Sequence, residues 1–153
     1  MQVNGKIQRF WAMVNCERRC VWWEQIQDEP DRREFFNVDL DLHGSAADIE
    51  QVISFIAPSV VVMRHEGGDA SLELAEQFSS AEATLQAIAE LIQALPYDAR
   101  SAWDRLKYRR ADIGLQIGSQ HGQLTGAISL EVLGMMVRSG LELAYTVYPP
   151  VAD

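Results

Sequence analysis

Two aspartates at alternate positions, Asp39 and Asp41, are the residues whose types and spacing best suit chemistry. In a β-strand this alternation places both carboxylates on one face, where a pair can bind a metal ion or share a proton. No histidine or third carboxylate at a fixed spacing completes a metal site. The pair is therefore interpreted as part of a solvated or partner-facing acidic row, and neither a metal nor a cofactor is expected.

Two other groups of residues resemble catalytic sites in composition only. Segment 65–71, HEGGDAS, lacks the frame of a phosphate-binding loop, so a turn is expected there. Asp112, Ser119 and His121 supply the residue types of a catalytic triad, but no nucleophile elbow surrounds the serine. The sequence therefore predicts no catalytic residues and no enzymatic activity.

The formal net charge of −9 comes almost wholly from one region of the chain. Between Glu34 and Leu95 there are eleven carboxylates and one basic residue, Arg64. A field of this sign repels nucleic acid and anionic lipid, and it accelerates association with a cationic partner. We therefore expect a partner-binding acidic surface whose members are Asp39, Asp41, Glu66, Asp69, Glu73 and Glu76.

The other conspicuous residues are aromatic or basic. Trp22 and Trp23, together with Trp11, suit either a core or dimer interface or an anchor for a protein partner, since tryptophan is enriched in interface hot spots. Trp103 stands among basic residues, which we expect to pair with the acidic region within the molecule or across a homodimer. The chain's two cysteines, Cys16 and Cys20, are interpreted as reduced thiols.

Hydrophobic periodicity predicts the elements that would hold these residues. The first half reads as a strand over 36–42, a helix over 46–57, a strand over 59–64 and, after a Ser79–Glu82 capping box, a helix reaching residue 95. The second half reads as a short helix over 99–106, a strand over 113–117, a returning hairpin strand over 124–128, a helix after Ser129 that ends at Gly140, and a final strand over 141–147. Segment 1–33 favours two strands, near 7–15 and 20–26.

This pattern predicts an α+β fold with a mixed or antiparallel sheet and two or three helices packed mainly on one face. A length of 153 residues suggests a single domain over 1–153, with 1–33 the less certain part. One core is expected to contain Leu85, Ile88, Ile92, Leu133, Val137, Leu143, Tyr145 and Val147. No apolar run approaches a membrane span and no signal peptide begins the chain, so a cytoplasmic protein is expected.

About two thirds of the chain resembles DUF4279, a domain-of-unknown-function family of small bacterial α+β proteins. The resemblance lies in the helix EATLQAIAELIQAL (82–95), the strand ADIGLQIG (111–118), the segment SLEVLGMMVRSGLELAYTVYPP (129–150) and, upstream, HGSAADIEQVISFIAPSVVVMRHEGGD (43–69). Residues 1–33 fall outside it, and the family offers no catalytic residues to carry over. What the resemblance implies is a setting beside bacterial toxins, in which such proteins serve as immunity proteins.

These observations lead to the hypothesis of an immunity protein that binds and neutralises a cognate toxin without catalysis. Many such toxins act on nucleic acid and have basic clefts, so an acidic face would mimic phosphate charge. The alternative is a homo-oligomeric or small-ligand-binding protein.

Overall fold

The computed structural model describes residues 34–116 and 125–149. They belong to one compact unit, Arg33–Asp153. The elements, in chain order, are β1 (Glu34–His43), α1 (Ala46–Ile56), a 3-10 turn (Ala57–Ser59), β2 (Val60–Glu66), β3 (Asp69–Leu74), α2 (Ala81–Gln93), α3 (Tyr97–Arg105), β4 (Tyr108–Gln116), α4 (Leu130–Ser139) and β5 (Glu142–Tyr148). The prediction of a single domain over 1–153 is not tested by these residues and stays a prediction.

The five strands form one mixed sheet in the order β2-β3-β1-β4-β5. β1 is the central strand, antiparallel to β3 on one side and to β4 on the other, while β4 and β5 run parallel. Since parallel neighbours need a long crossover, the chain leaves β4 and returns through α4 before it enters β5.

The core lies on one face of this sheet. Val38, Leu40 and Leu42 alternate along β1 and are at most 2% exposed, and they join the buried residues of all four helices in a single cluster. The predicted α+β class with helices on one face is therefore confirmed. None of the helices in residues 34–116 and 125–149 is long and apolar enough to cross a membrane.

Serine caps begin three of the helices. Ser45, Ser80 and Ser129 each accept a hydrogen bond from the backbone N–H three residues on, which satisfies a donor that the helix itself cannot. The predicted capping box was displaced by one residue. Ser80, not Ser79, caps α2, and Glu82 instead accepts a bond of 3.0 Å from the backbone N–H of Ser129.

Two predicted elements differ from the structure, one in its extent and one in its pairing. Segment 65–71 was expected to be a turn, but only Gly67 and Gly68 form one, and β3 begins at Asp69. A returning strand was expected over 124–128, but residues 125–129 form no strand. β4 pairs with β5 instead, so the expected hairpin is absent from these residues.

The predicted core was half right. Leu85, Ile88 and Ile92 are buried, and Leu133 packs partly against the core. The other four side chains are exposed: Val137, Leu143, Tyr145 and Val147. α4 turns Val132 and Met136 inward in place of Val137, and β5 is an edge strand whose apolar side the described helices leave uncovered.

Trp103 is a core residue and takes no part in a basic surface. It is 0% exposed, and its indole Nε1–H donates a 2.7 Å bond to the carbonyl of Ser139 at the end of α4. Of its basic neighbours, Arg105 pairs with Asp48 on α1, which confirms pairing with the acidic region at this one position.

Candidate functional site

The face of the sheet opposite the helices carries the candidate site. Because side chains alternate along a strand, burial of Val38, Leu40 and Leu42 turns Asp39 and Asp41 to the other side. We call this side the open face. The polar residues of β3 and β4 that share it are Asp69, Ser71, Glu73, Arg110 and Asp112, as the strand register shows.

Three acidic residues lie side by side on adjacent strands at its centre. Asp39 of β1 lies directly opposite Asp112 of β4. On its other side, the Leu40–Leu72 pair puts Glu73 of β3 next in register to Asp39. We call Asp39, Glu73 and Asp112 the acidic centre.

This arrangement changes the ionisation of Asp39. Partial burial raises its pKa from 3.8 to about 6, and the charge and hydrogen bond of Glu73 and the charges of Asp41 and Asp112 act in the same direction. Each of these causes disfavours a further negative charge at this position. The acidic centre is therefore electrostatically strained near neutral pH, and a cation placed beside it would relieve the strain.

Asp112 is held from β5 and has unused hydrogen-bonding capacity. Its Oδ2 accepts a 2.7 Å bond from the hydroxyl of Thr146. Its Oδ1 is buried and has no hydrogen-bond partner. A buried acceptor without a partner is costly, and this adds to the demand for a donor at the acidic centre.

A small cavity opens beside these carboxyl groups. It has a volume of about 190 Å³ and is lined by Asn37, Asp39, Glu73, Gly114 and Tyr148. An ammonium or guanidinium group is small enough to enter such a space and donates several hydrogen bonds.

Two acids at the rim of the open face, Asp69 and Glu142, have partners. The Nδ1 atom of His43 lies 2.8 Å from Oδ1 of Asp69. Arg110 lies over the Tyr108 ring at 4.6 Å from its centroid, and it is 3.4 Å from the carboxylate of Glu142.

The structure brings together most of the predicted acidic surface. Asp39, Asp41, Asp69 and Glu73 share the open face, and Glu66 joins them because it pairs with Asp69 in the β2–β3 hairpin. Glu76 does not join them. It follows β3 and lines a separate groove of about 630 Å³, together with Pro58, Phe78, Glu90 and Leu91 among others.

Some predicted residues cannot be placed. Trp22 and Trp23 lie outside the described residues. Ser119 and His121, which have the residue types of a catalytic triad with Asp112, lie outside them as well. Within the described residues, no group of three or more histidine, cysteine, aspartate or glutamate side chains is arranged to hold a metal ion.

Sequence reasoning missed Asp112, Thr146 and Tyr148 as members of the site. One signal could have found Asp112, because it is the polar position between Ala111 and Ile113 in an alternating strand. Its position opposite Asp39 could not have been found, since nothing local to either strand specifies that register.

A scan against protein-family models gives no match to this chain, and searches of curated proteins and of solved structures give none either. The resemblance to the DUF4279 family therefore stays a prediction.

Proposed function

We propose that this chain is a non-catalytic immunity protein that binds and neutralises a cognate bacterial toxin in the cytoplasm, using the open face as its binding surface. The observation that carries the proposal is the acidic centre, in which three carboxyl groups are held together on an open sheet face. The partner is a protein with a basic surface, and nucleic acid is repelled by the same charge.

Energetics supports a binding role for this cluster. Like charges placed side by side destabilise the folded state, and features that cost stability are concentrated where function needs them. An arginine or lysine side chain of a partner that enters the cavity beside Asp39 and Glu73 would supply the missing positive charge. Binding would relieve part of the repulsion between the carboxylates of the acidic centre, and this relief would contribute to the binding free energy.

The raised pKa of Asp39 makes the affinity for a cationic partner depend on pH. A cation at the acidic centre favours the ionised form of Asp39, so binding releases a proton when the free protein still holds one. The affinity should therefore rise with pH until Asp39 is ionised in the free protein, which is complete about one unit above its pKa of about 6.

The test is coexpression with the protein encoded next to this chain, combined with measured association rates. The test variant is Asp39→Asn with Glu73→Gln, which removes two charges from the open face and keeps the side-chain shapes. The matched control is Glu50→Gln with Glu90→Gln, which removes the same charge from exposed positions on α1 and α2.

The test variant should lose protection and should associate about tenfold more slowly at low salt, because steering by the acidic face is lost. The control variant should protect cells and associate like the wild type. Equal protection and equal rates for the two variants would show that the open face is not the binding surface. A wild-type chain that neither binds nor protects would refute the immunity function itself.

A further inference from the structure

The two edge strands of the sheet are built differently. β2 pairs with β3 through an irregularity between Val62 and Arg64, where Met63 is the extra residue. Charged residues follow at Arg64 and Glu66. A bulge and charges are the usual devices by which an edge strand resists pairing with another chain. β2 is therefore a protected edge.

β5 has neither device. Its sequence is ELAYTVY, its register with β4 is regular over all seven residues, and proline follows only at position 149. Its single charge, Glu142, lies at the first residue and is paired with Arg110. A strand with a regular register, a β-prone composition and its only charge at one end readily pairs with a further strand when its edge is open.

The helix side of β5 is also apolar, and the helices within residues 34–116 and 125–149 leave it exposed. Leu143, Tyr145 and Val147 point to this side, and Tyr145 is 73% exposed. On α4, Leu130 and Val137 are exposed, on the flank opposite the one at which Ser139 bonds to α2. Summed over these five side chains, the exposed apolar area is on the order of 500 Å², which is more than half of one side of a standard interface.

We propose that β5 is a self-association edge, on which a second copy of this chain lays its own β5 antiparallel. A two-fold axis at Tyr145 makes the strand complementary to itself. Tyr145 then faces Tyr145 of the second copy, Leu143 faces Val147, and Ala144 faces Thr146. No pair of like charges is opposed in this register.

The distribution of charge permits this contact despite the net charge of −9. The acidic centre extends over β3, β1 and β4, and Asp39 lies on β1, two strands from the β5 edge. The two copies of β1 would be five strand spacings apart, about 24 Å. That separation is about three Debye lengths at physiological ionic strength, so repulsion between the two Asp39 positions is screened.

The resulting dimer has a continuous ten-stranded sheet with both open faces on one side. Paired strands that share a sheet keep their faces in common, so each acidic centre remains accessible. The proposal does not depend on the toxin-binding function, because it rests on β5 and α4 alone. The two surfaces should also differ in salt response, since the β5 contact is apolar and the open face is charged.

The test is the mass of the full-length chain in solution, measured by light scattering and sedimentation from about 1 to about 100 µM. The wild type should be a dimer whose association changes little with salt. Tyr145→Lys should weaken the dimer about 30-fold or more, because it removes a central aromatic contact and opposes two positive charges on the axis. Met63→Lys, an exposed position on the β2 edge, is the matched control and should leave the dimer intact.

Oppositely charged variants at Tyr145 distinguish loss of the dimer contact from loss of the fold. Tyr145→Lys and Tyr145→Glu should each be monomeric alone, and an equimolar mixture should form a heterodimer, since opposite charges then face each other at the axis. A wild type that is monomeric throughout the concentration range overturns the proposal. The β5 edge would then be covered by a different protein or by another segment of this chain. Retention of the dimer by Tyr145→Lys, or its loss in Met63→Lys, overturns it as well.

Discussion

Replacing Asp39 with asparagine should stabilise the folded protein near neutral pH and should leave it almost unchanged in acid. The asparagine side chain has nearly the shape of the aspartate side chain, and its amide can donate a hydrogen bond to the Glu73 carboxylate. The substitution therefore permits this hydrogen bond and removes the ionisation that the acidic centre disfavours. Its expected effect is opposite in sign to that of most substitutions at partly buried positions.

The sign follows from proton linkage. The pKa of Asp39 is about 6 in the folded protein and 3.8 in the absence of the fold, so the folded state holds the proton more tightly. Stability from this group is fully present below about pH 4 and is lost as the pH rises through 6. The asparagine variant has no such loss, so its advantage over the wild type grows over the same interval.

The expected change in the free energy of unfolding follows from the raised pKa of Asp39. A difference of about two pKa units corresponds to about 3 kcal/mol if the group were fully shielded from solvent. Asp39 is only about half buried, so water and salt screen the interaction. We therefore expect Asp39→Asn to gain about 1 to 2 kcal/mol in the free energy of unfolding at about pH 7.5, and a few tenths at about pH 4.

Urea unfolding at both pH values, at one fixed chain concentration, measures this difference. Asp41→Asn is the control, because it removes the same charge from the next open-face position of β1 but lies opposite Arg110. It should bring no comparable gain. An equal gain for Asp39→Asn at both pH values would assign the effect to strand propensity, and a loss at pH 7.5 would refute the strained acidic centre.

Two further substitutions test the packing behind the site. Trp103→Phe should cost about 1 to 3 kcal/mol in urea unfolding, because it leaves the carbonyl of Ser139 without its donor, and an unchanged midpoint would contradict that bond. Gly140→Ala should destabilise by about 1 kcal/mol, since Gly140 has a φ of 65° and an added Cβ would lie 3.3 Å from the Arg109 guanidinium. Gly134→Ala, inside α4, should instead stabilise by up to about 1 kcal/mol in the same assay, and equal signs for the two glycine variants would refute this reasoning.

Local patterns were sufficient for the parts of the fold that depend on neighbours in sequence. The alternation around Asp39 predicted both the strand and the side that its carboxylate takes. The spacing of Leu85, Ile88 and Ile92 predicted α2 and its buried face, and Gly140 ended α4 as expected. Each of these depends on the repeat of a helix or strand, or on a cap within a few residues.

Burial at the edge of the fold could not be predicted in this way. The apolar residues of β5 and the exposed flank of α4 have the periodicity of a core, and the structure leaves them uncovered. A hydrophobic pattern states that a face is suited to contact, but it does not state whether the contact lies within the chain or with another one. Only the strand order, which puts β5 at an edge, decided this.

The alternation of residues in β1 is enough to predict that a row of carboxylates faces away from the core. The positions of Glu73 and Asp112 on either side of Asp39 could not be predicted, because these two residues are 39 apart in the chain and are brought together by strand pairing. The physical reason is that strand register is set by the free energy of the whole packed sheet, summed over non-local pairs. The strained acidic centre is a product of that register, so it exists only in the folded chain.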